Sequence, residues 1–271
     1  MNSRYFFLFL AFLSFSSQSY ATLSDIKTPN VSESPTAAYQ PGERLVYKVS
    51  YLGIPAGNAV MEVLQTRKMK DRAVYPVRST VESNKFVSAF YPVKDRVQTF
   101  IDVEGGYSHG IDIKQRQGRK RRNKVIDFDQ VQHRAKQVKN NKVEVFDIPP
   151  NVQDSLSALY HFRNNAVLEV GKSIFIDVHE SRKNWELEIK VLDQEEITTA
   201  LGTFKTFKVK AFVRYEGLFM DKGDVTLWLT DDARRIPVLI KTKIKIGSIT
   251  AVLDSSEFST EATYQARAEV K

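Results

Sequence analysis

Trp185-Glu186-Leu187-Glu188-Ile189-Lys190-Val191 alternates apolar and charged residues without a break, and that period of two decides the fold class. Successive side chains of a strand point to opposite faces, so this stretch has one dry face and one wet face. The pattern recurs on both sides. Downstream, Phe207, Val209, Ala211, Val213 and Tyr215 alternate with Lys208, Lys210 and Arg214. Ile236, Val238, Ile240, Ile244 and Ile246 face one way, with Lys241, Lys243 and Lys245 opposite. Gly202 and the step Asp221-Lys222-Gly223 read as turns.

Upstream the signal is broken more often. Leu45, Tyr47, Val49 and Tyr51 form one apolar face. Gly53-Ile54-Pro55-Ala56-Gly57 should interrupt it, because proline lacks the ladder N–H, and Asn58–Leu64 should return. Val97, Thr99, Ile101 and Val103 share a face. Glu104-Gly105-Gly106 turns the chain, and Tyr107, His109, Ile111 and Ile113 share the next face. Val125–Asp129 and Lys142–Ile148 complete the set, with Lys139-Asn140-Asn141 a turn before the latter. Strands with one dry face, spaced by turn signals, specify an all-β protein. An antiparallel curved sheet forming a barrel or half-barrel is expected, with a two-sheet sandwich as the nearest competitor.

One helix is expected, near residues 151–164. Val152, Leu156, Leu159 and Tyr160 make an apolar stripe, Asn151 can cap it, and Asn164-Asn165 can stop it. Around this helix the chain divides into a β-rich domain over 41–254, which two packed lobes, about 41–148 and 170–254, could also form. A flexible lead-in covers 22–40, with Pro29, Pro35 and several serines, and order is expected from about Gly42. Residues 255–271 lose alternation and read as a disordered tail.

Residues 1–21 have the form of a secretory signal peptide. Arg4 precedes the uncharged apolar run Tyr5–Leu13, and Ser19 and Ala21 sit at the small-residue positions of a cleavage site. Cleavage after Ala21 and a periplasmic location are expected. The chain has no cysteine, and its formal charge is +8. A basic exported protein suits anionic lipid, acidic glycan or an acidic partner, and not nucleic acid.

Several segments resemble an uncharacterised bacterial family, domain-of-unknown-function family 3108. They are Gly42-Glu43-Arg44-Leu45-Val46-Tyr47 with Tyr51-Leu52-Gly53-Ile54-Pro55-Ala56-Gly57; Asp154-Ser155-Leu156-Ser157-Ala158-Leu159-Tyr160 with Arg163; and Trp228-Leu229-Thr230-Asp231-Asp232 with Arg235-Ile236-Pro237-Val238, ending at Gly247-Ser248-Ile249-Thr250-Ala251. The resemblance implies an exported protein and carries no catalytic residues. More loosely, the strand order is similar to that of periplasmic lipoprotein carriers, whose unclosed barrel holds acyl chains.

The densest charge is Arg116, Arg119, Lys120, Arg121, Arg122 and Lys124, an anion-site candidate because guanidinium forks match phosphate and carboxylate. It could equally be a solvated hairpin guarding a sheet edge. Unbroken alternation would place Arg119 and Arg121 on the face of Ile111 and Ile113, with cations continuing an apolar wall. Phe86 and Phe90, four apart before Pro92, could form an aromatic lid or a short helix over one end of the core. Chemistry is poorly signalled. His109, His133, His161 and His179 lack metal-ligand spacing, so neither metal nor cofactor is expected. Ser155 and His161 fall on different helix faces, so no nucleophile–base pair follows.

The expectation is therefore a binding protein and not an enzyme. Its ligand would be an amphipathic or anionic envelope component, held by Arg116, Arg119, Arg121, Ile111, Ile113, Phe86 and Phe90. Peripheral membrane contact is compatible with this. The alternatives are scaffolding within an envelope complex and, less well signalled, hydrolysis.

Overall fold

Alternation becomes a ladder in the computed structural model, which describes residues 37–139, 142–180, 182–215, 218–244 and 246–258. Strands β1 (Arg44–Tyr51), β2 (Ile54–Val63), β3 (Arg67–Met69) and β4 (Arg72–Ser83) come first. Helix α1 (Lys85–Phe90) leads to β5 (Val93–Asp102), β6 (Ser108–Gln117), β7 (Lys120–Asp129), β8 (Arg134–Lys139) and β9 (Lys142–Asp147). Helix α2 (Ser157–Asn165) leads to β10 (Ser173–Glu180), β11 (Lys183–Thr199) and β12 (Gly202–Tyr215). Then come β13 (Leu218–Thr230), β14 (Pro237–Lys243) and β15 (Ser248–Glu257).

These strands make one antiparallel sheet in the order β10-β11-β12-β13-β14-β15-β1-β2-β4-β5-β6-β7-β8-β9, with β3 paired to β4. The last strand joins the first, with Val49 opposite Ala251, so both strand-rich stretches share one sheet. The sheet curls into an open half-barrel. Side chains link the two ends of the sheet. Lys124 of β7 and Glu180 of β10 form a buried ion pair, and Asn184 Nδ2 donates to the Asp147 carbonyl at 2.9 Å. The His179 ring lies against Phe128 and Phe146, at centroid distances of 5.8 and 5.7 Å.

Antiparallel order sends the connections alternately to two ends. The base end carries α2, the segment leading into it, and the chain entry at Ala38 and Tyr39. Both of those residues are buried, so order begins before Gly42. Tyr39 meets Tyr160 edge-on at 4.9 Å, and Ala38 N–H donates to Asn164 Oδ1 at 3.1 Å. The rim end carries the β1–β2 turn, α1 and the β6–β7 and β14–β15 turns. Between the two ends the concave face is packed by Leu45, Tyr47, Val77, Ile101, Ile111, Ile113, Ile126, Phe128 and Phe162.

Several local expectations are corrected. Helix α2 starts at Ser157, because Asp154 Oδ1 accepts from Leu156 and Ser157 N–H and ends the preceding extended segment. There Gln153 bridges Val178 in parallel, which a helix from residue 151 would forbid. The short helix weighed for Phe86 and Phe90 forms as α1, so the described residues hold two helices where the fold expectation had one. Pro55 lies inside β2, tolerated at the register shift next to Ser50. Asp221-Lys222-Gly223 is not a turn. It lies in β13, where the pairing jumps from Ala211↔Val225 to Val213↔Met220. Ile246 leaves the buried face of Ile240 and Ile244 for solvent. A bulge near Gly110 turns His109 away from Ile111, toward Asp102. Gly110 has φ 147°, and a Cβ there would lie 2.4 Å from the Ile126 carbonyl oxygen, so only glycine fits. The leader, most of the lead-in, Asn140-Asn141 and residues 259–271 fall outside the described residues.

His179 makes the fold acid-sensitive. Burial pushes its pKa below 6.5, against the opposing pull of Asn184. Its Nδ1 bonds Asn184 Oδ1 at 2.7 Å, and its buried Nε2 has no partner. His161 is lowered by burial in the same way. Such a group binds its proton less well when folded than when unfolded, so unfolding takes up protons below the unfolded value. Stability is therefore complete above pH of about 6.5 and is lost as pH falls through it. Thermal melts between pH 7.5 and 5.5 should show a falling Tm. The double substitution His161→Gln/His179→Gln should flatten that slope, and an unchanged slope would refute the assignment.

Candidate functional site

On the concave face, β5 and β6 carry polar residues where the strand pattern calls for apolar ones. Val93, Asp95 and Val97 of β5 stand opposite Gln117, Gln115 and Ile113 of β6. Register carries the same row to Ser83, Val81 and Ser79 of β4. All of these but Ile113 floor a groove of about 50 Å³ at the rim end, whose walls include Val49, Tyr51, Ala56, Val87 and Ile249. Helix α1 flanks it. Asn84 caps that helix by accepting from Val87 N–H at 2.9 Å, and its own N–H donates to the Ala56 carbonyl at 2.8 Å. The cap thereby fixes Val87 at the groove.

The floor is rich in acceptors. Asp95 Oδ1 accepts from Arg116 N–H at 3.1 Å, and Oδ2 accepts from Gln115 Nε2 at 3.3 Å and also from Gln117 Nε2. Burial raises the Asp95 carboxyl above its ordinary value, against those three hydrogen bonds. Both glutamines are buried, and their Oε1 atoms have no donor. A polar atom buried without a partner costs about 1–3 kcal/mol, so these two oxygens mark where a donating group would be favoured. Polar residues at inward parity were the available sequence signal, and the sequence reading passed over them.

The residues singled out by sequence are only partly brought together. Ile111 and Ile113 are core residues on the concave face. Phe86 and Phe90 lie on α1, in edge contact at 5.8 Å, and neither ring enters the core. The basic cluster is no long loop, since β6 and β7 run through it and only Gly118-Arg119 turns. That tight turn shifts the parity expected of Arg119 and Arg121. Gln115 pairs with Arg122 and Gln117 with Lys120, so Lys120, Arg122 and Lys124 share the concave parity. Arg121 pairs with Arg116 on the exposed convex side, and Arg119 is exposed at the turn. Gly118 has φ 59° and a Cβ there would meet the Tyr91 ring at 2.8 Å, which enforces the glycine and packs the turn against α1.

The segments that carried the family resemblance mostly knit the base. Arg163 forks onto Glu43, with Nη1 to Oε1 at 2.7 Å and Nη2 to Oε2 at 2.8 Å, both side chains buried. Burial opposes the guanidinium charge, but Glu43 outweighs it and raises the pKa above the ordinary arginine value. Asp154 is buried and accepts from Ser108 Oγ at 2.6 Å and from Thr99 Oγ1. Asp102 binds Arg72 through two bonds of 2.8 Å, His109 Nε2 at 2.9 Å and the N–H of Gly105 at 2.7 Å. Burial raises the Asp102 carboxyl, yet these partners together hold it well below the usual carboxylate range. Arg163 and Arg72 supply the countercharge at two of these nodes, and Asp154 is held by neutral donors alone. Ser155 and His161 make no mutual hydrogen bond, and His161 Nδ1 instead faces Gln153 at 3.2 Å. Among the described residues, no three His, Cys, Asp or Glu side chains gather as a metal site.

A curled antiparallel sheet, closed at its base and grooved at its rim, defines the class as a β-barrel-like protein. Within it, the chain belongs to the family of proteins of unknown function DUF3108, whose model matches residues 46–254. Among solved structures, a β-barrel-like protein of domain of unknown function DUF1849 from Brucella abortus is similar in fold. Its TM-score is 0.53 at 10% identity, over 81% of this chain and 99% of that one. A candidate exported protein with a YmcC-like fold from Bacteroides fragilis NCTC 9343 aligns at TM-score 0.34 and 11% identity, covering 81% and 97% of the two chains. A candidate lipoprotein from Parabacteroides distasonis ATCC 8503 aligns at 0.33 and 12%, covering 80% and 95%. No curated protein matches the chain.

Proposed function

We propose that this is a periplasmic binding protein that holds the end of an amphipathic envelope molecule in the rim groove, without covalent chemistry. The observation that carries this reading is the pair of unpartnered glutamine oxygens beside Asp95, set in a groove whose walls are mostly apolar. An apolar segment would lie against Val81, Val87, Val93 and Val97. A donating head, hydroxyl or ammonium, would meet Gln115, Gln117 and Asp95. Each buried methylene contributes about 0.8 kcal/mol, so a short segment suffices for measurable affinity. Pockets for whole drug-sized ligands run to roughly 300 Å³ or more, so a groove of about 50 Å³ suits a chain end and not an entire lipid. The leader pattern of residues 1–21 supports export.

The test is native mass spectrometry of protein released gently from its own envelope, with extraction of whatever it carries. Val87→Phe should narrow the groove and lower occupancy about tenfold. Asp95→Asn should weaken ammonium heads while sparing hydroxyl heads, because it removes the charge and keeps an acceptor. Protein that carries no lipid and cannot be loaded would refute binding. Scaffolding in an envelope complex would then be the better reading.

A further inference from the structure

We infer that the rim is a docking surface for an anionic lipid bilayer. The inference stands whether or not the groove holds a ligand. Four rim connections form one continuous arc. Tyr51 Oη donates to the Ile246 carbonyl at 2.9 Å, and Leu52 N–H donates to the Ser248 carbonyl at 3.1 Å. Asn84 Nδ2 reaches the Pro55 carbonyl at 2.7 Å, which ties α1 to the β1–β2 hairpin. Gly118 N–H donates to the Pro92 carbonyl at 2.8 Å, which ties the β6–β7 turn to α1.

Large apolar side chains crowd this arc and stand in water. Leu52 is 56% exposed, Ile54 58%, Phe86 68%, Phe90 80% and Ile246 70%. Elsewhere among the described residues the exposed large apolar side chains are Phe175, Leu192, Leu201 and seven valines, of which Val131 and Val167 are the most exposed, at 89% and 74%. Exposed apolar residues scattered singly need no explanation, but five at one end of a barrel do. Cations accompany them: Lys85 on α1, and Arg119, Lys120 and Arg121 at the β6–β7 turn, all exposed. None of these four has an ion pair among the described residues. The acidic Glu82 nearby is already paired with Lys94 at 3.1 Å.

Charge complementarity selects the partner. Apolar tips flanked by unneutralised cations match a layer of anionic headgroups over acyl chains, where aromatic and aliphatic side chains sit at the interface. The arc is made of short turns and a single-turn helix, so its tips would enter only the headgroup boundary. Among the described residues no helix is long and apolar enough to span a bilayer. Docking at the rim would also turn the groove mouth toward the membrane.

The test uses the mature chain, expected to begin at Thr22, in sedimentation with phosphatidylcholine vesicles and with the same vesicles containing phosphatidylglycerol. The chain should bind the anionic vesicles, and high salt should weaken binding. Phe86→Ser/Phe90→Ser and Arg119→Ser/Arg121→Ser should each reduce binding about tenfold or more, while Phe175→Ser/Leu201→Ser should leave it unchanged. All these side chains are exposed, so melting temperatures should agree and exclude misfolding. The chain has no cysteine, so Phe90→Cys accepts a single environment-sensitive fluorophore, whose emission should shift to the blue on vesicle binding. Three results would each overturn the proposal: no wild-type binding to anionic vesicles, equal losses in the control and rim pairs, or a bound protein whose label stays in water. The first would point to an acidic protein as the partner of this surface.

Discussion

Arg163→Ala is expected to cost about 3–5 kcal/mol of stability, enough to unfold much of a marginally stable population. The substitution strands Glu43, a buried carboxylate whose two oxygens lose their fork of donors at 2.7 and 2.8 Å. It also removes the donors to the carbonyls of Ala38 and Arg234, each at 3.1 Å. The guanidinium lies 5.8 Å from the Tyr39 ring and 5.1 Å from the Tyr160 ring, so packing is lost with charge. Chain entry, α2 and the β13–β14 turn meet at this one side chain. Urea unfolding should show the midpoint fall with little change in slope. The double substitution Glu43→Leu/Arg163→Met should recover much of the loss, since removing both charges leaves none uncompensated. A loss below about 1 kcal/mol for Arg163→Ala would mean the pair is hydrated and not buried.

Asp154→Ala is expected to cost about 3 kcal/mol and to loosen the start of α2. The carboxylate accepts from two backbone N–H groups, those of Leu156 and Ser157 at 2.8 and 2.9 Å, and from the hydroxyls of Thr99 and Ser108. It therefore joins the helix to both β5 and β6. Alanine leaves the two backbone donors without this acceptor, and the two hydroxyls keep only longer contacts to the Gly110 carbonyl, at 3.3 and 3.4 Å. Burial already raises the Asp154 carboxyl above its ordinary value, against the hydrogen bonds of Ser108, Thr99, Ser157 and Leu156. Asp154→Asn should be milder, because the amide keeps one acceptor and the two hydroxyls can rotate to accept from its NH₂. Hydrogen exchange should separate this from a global effect. The amides of Leu156, Ser157 and Ala158 should lose protection in Asp154→Ala well before those of β1 or β15. Uniform loss across the sheet would contradict a local anchoring role.

Both expectations concern the base, and neither touches the rim. The segments resembling the family divide the same way. Glu43, Asp154 and Arg163 hold the closed end. By contrast, Ala56, Gly57 and Ile249, from two other segments, line the groove. Their hairpins meet where Leu52 N–H bonds the Ser248 carbonyl.

Alternation by itself determined the all-β class, the antiparallel curved sheet and the dry face of most strands, because side-chain parity in a strand depends on nothing beyond the strand. Leu45, Tyr47 and Val49, or Trp185, Ile189 and Val191, needed no tertiary information to be assigned inward. Parity fails wherever a bulge or tight turn resets it, and those events are set by neighbouring strands. Gly110 turned His109 out to Asp102, and the two-residue turn at Gly118-Arg119 exchanged the faces expected of Arg119 and Arg121 for those of Lys120 and Arg122. The helix start moved for a similar reason. Local capping preferences favoured Asn151, but the tertiary contacts of Asp154 with Thr99 and Ser108 decided it. Only the order of strands, with β15 on β1, put Ile246, Leu52 and α1 on one rim. Residues 246, 52 and 86 are far apart along the chain, and their place at one end becomes legible only once the pairing of β14, β15, β1, β2 and β4 is known.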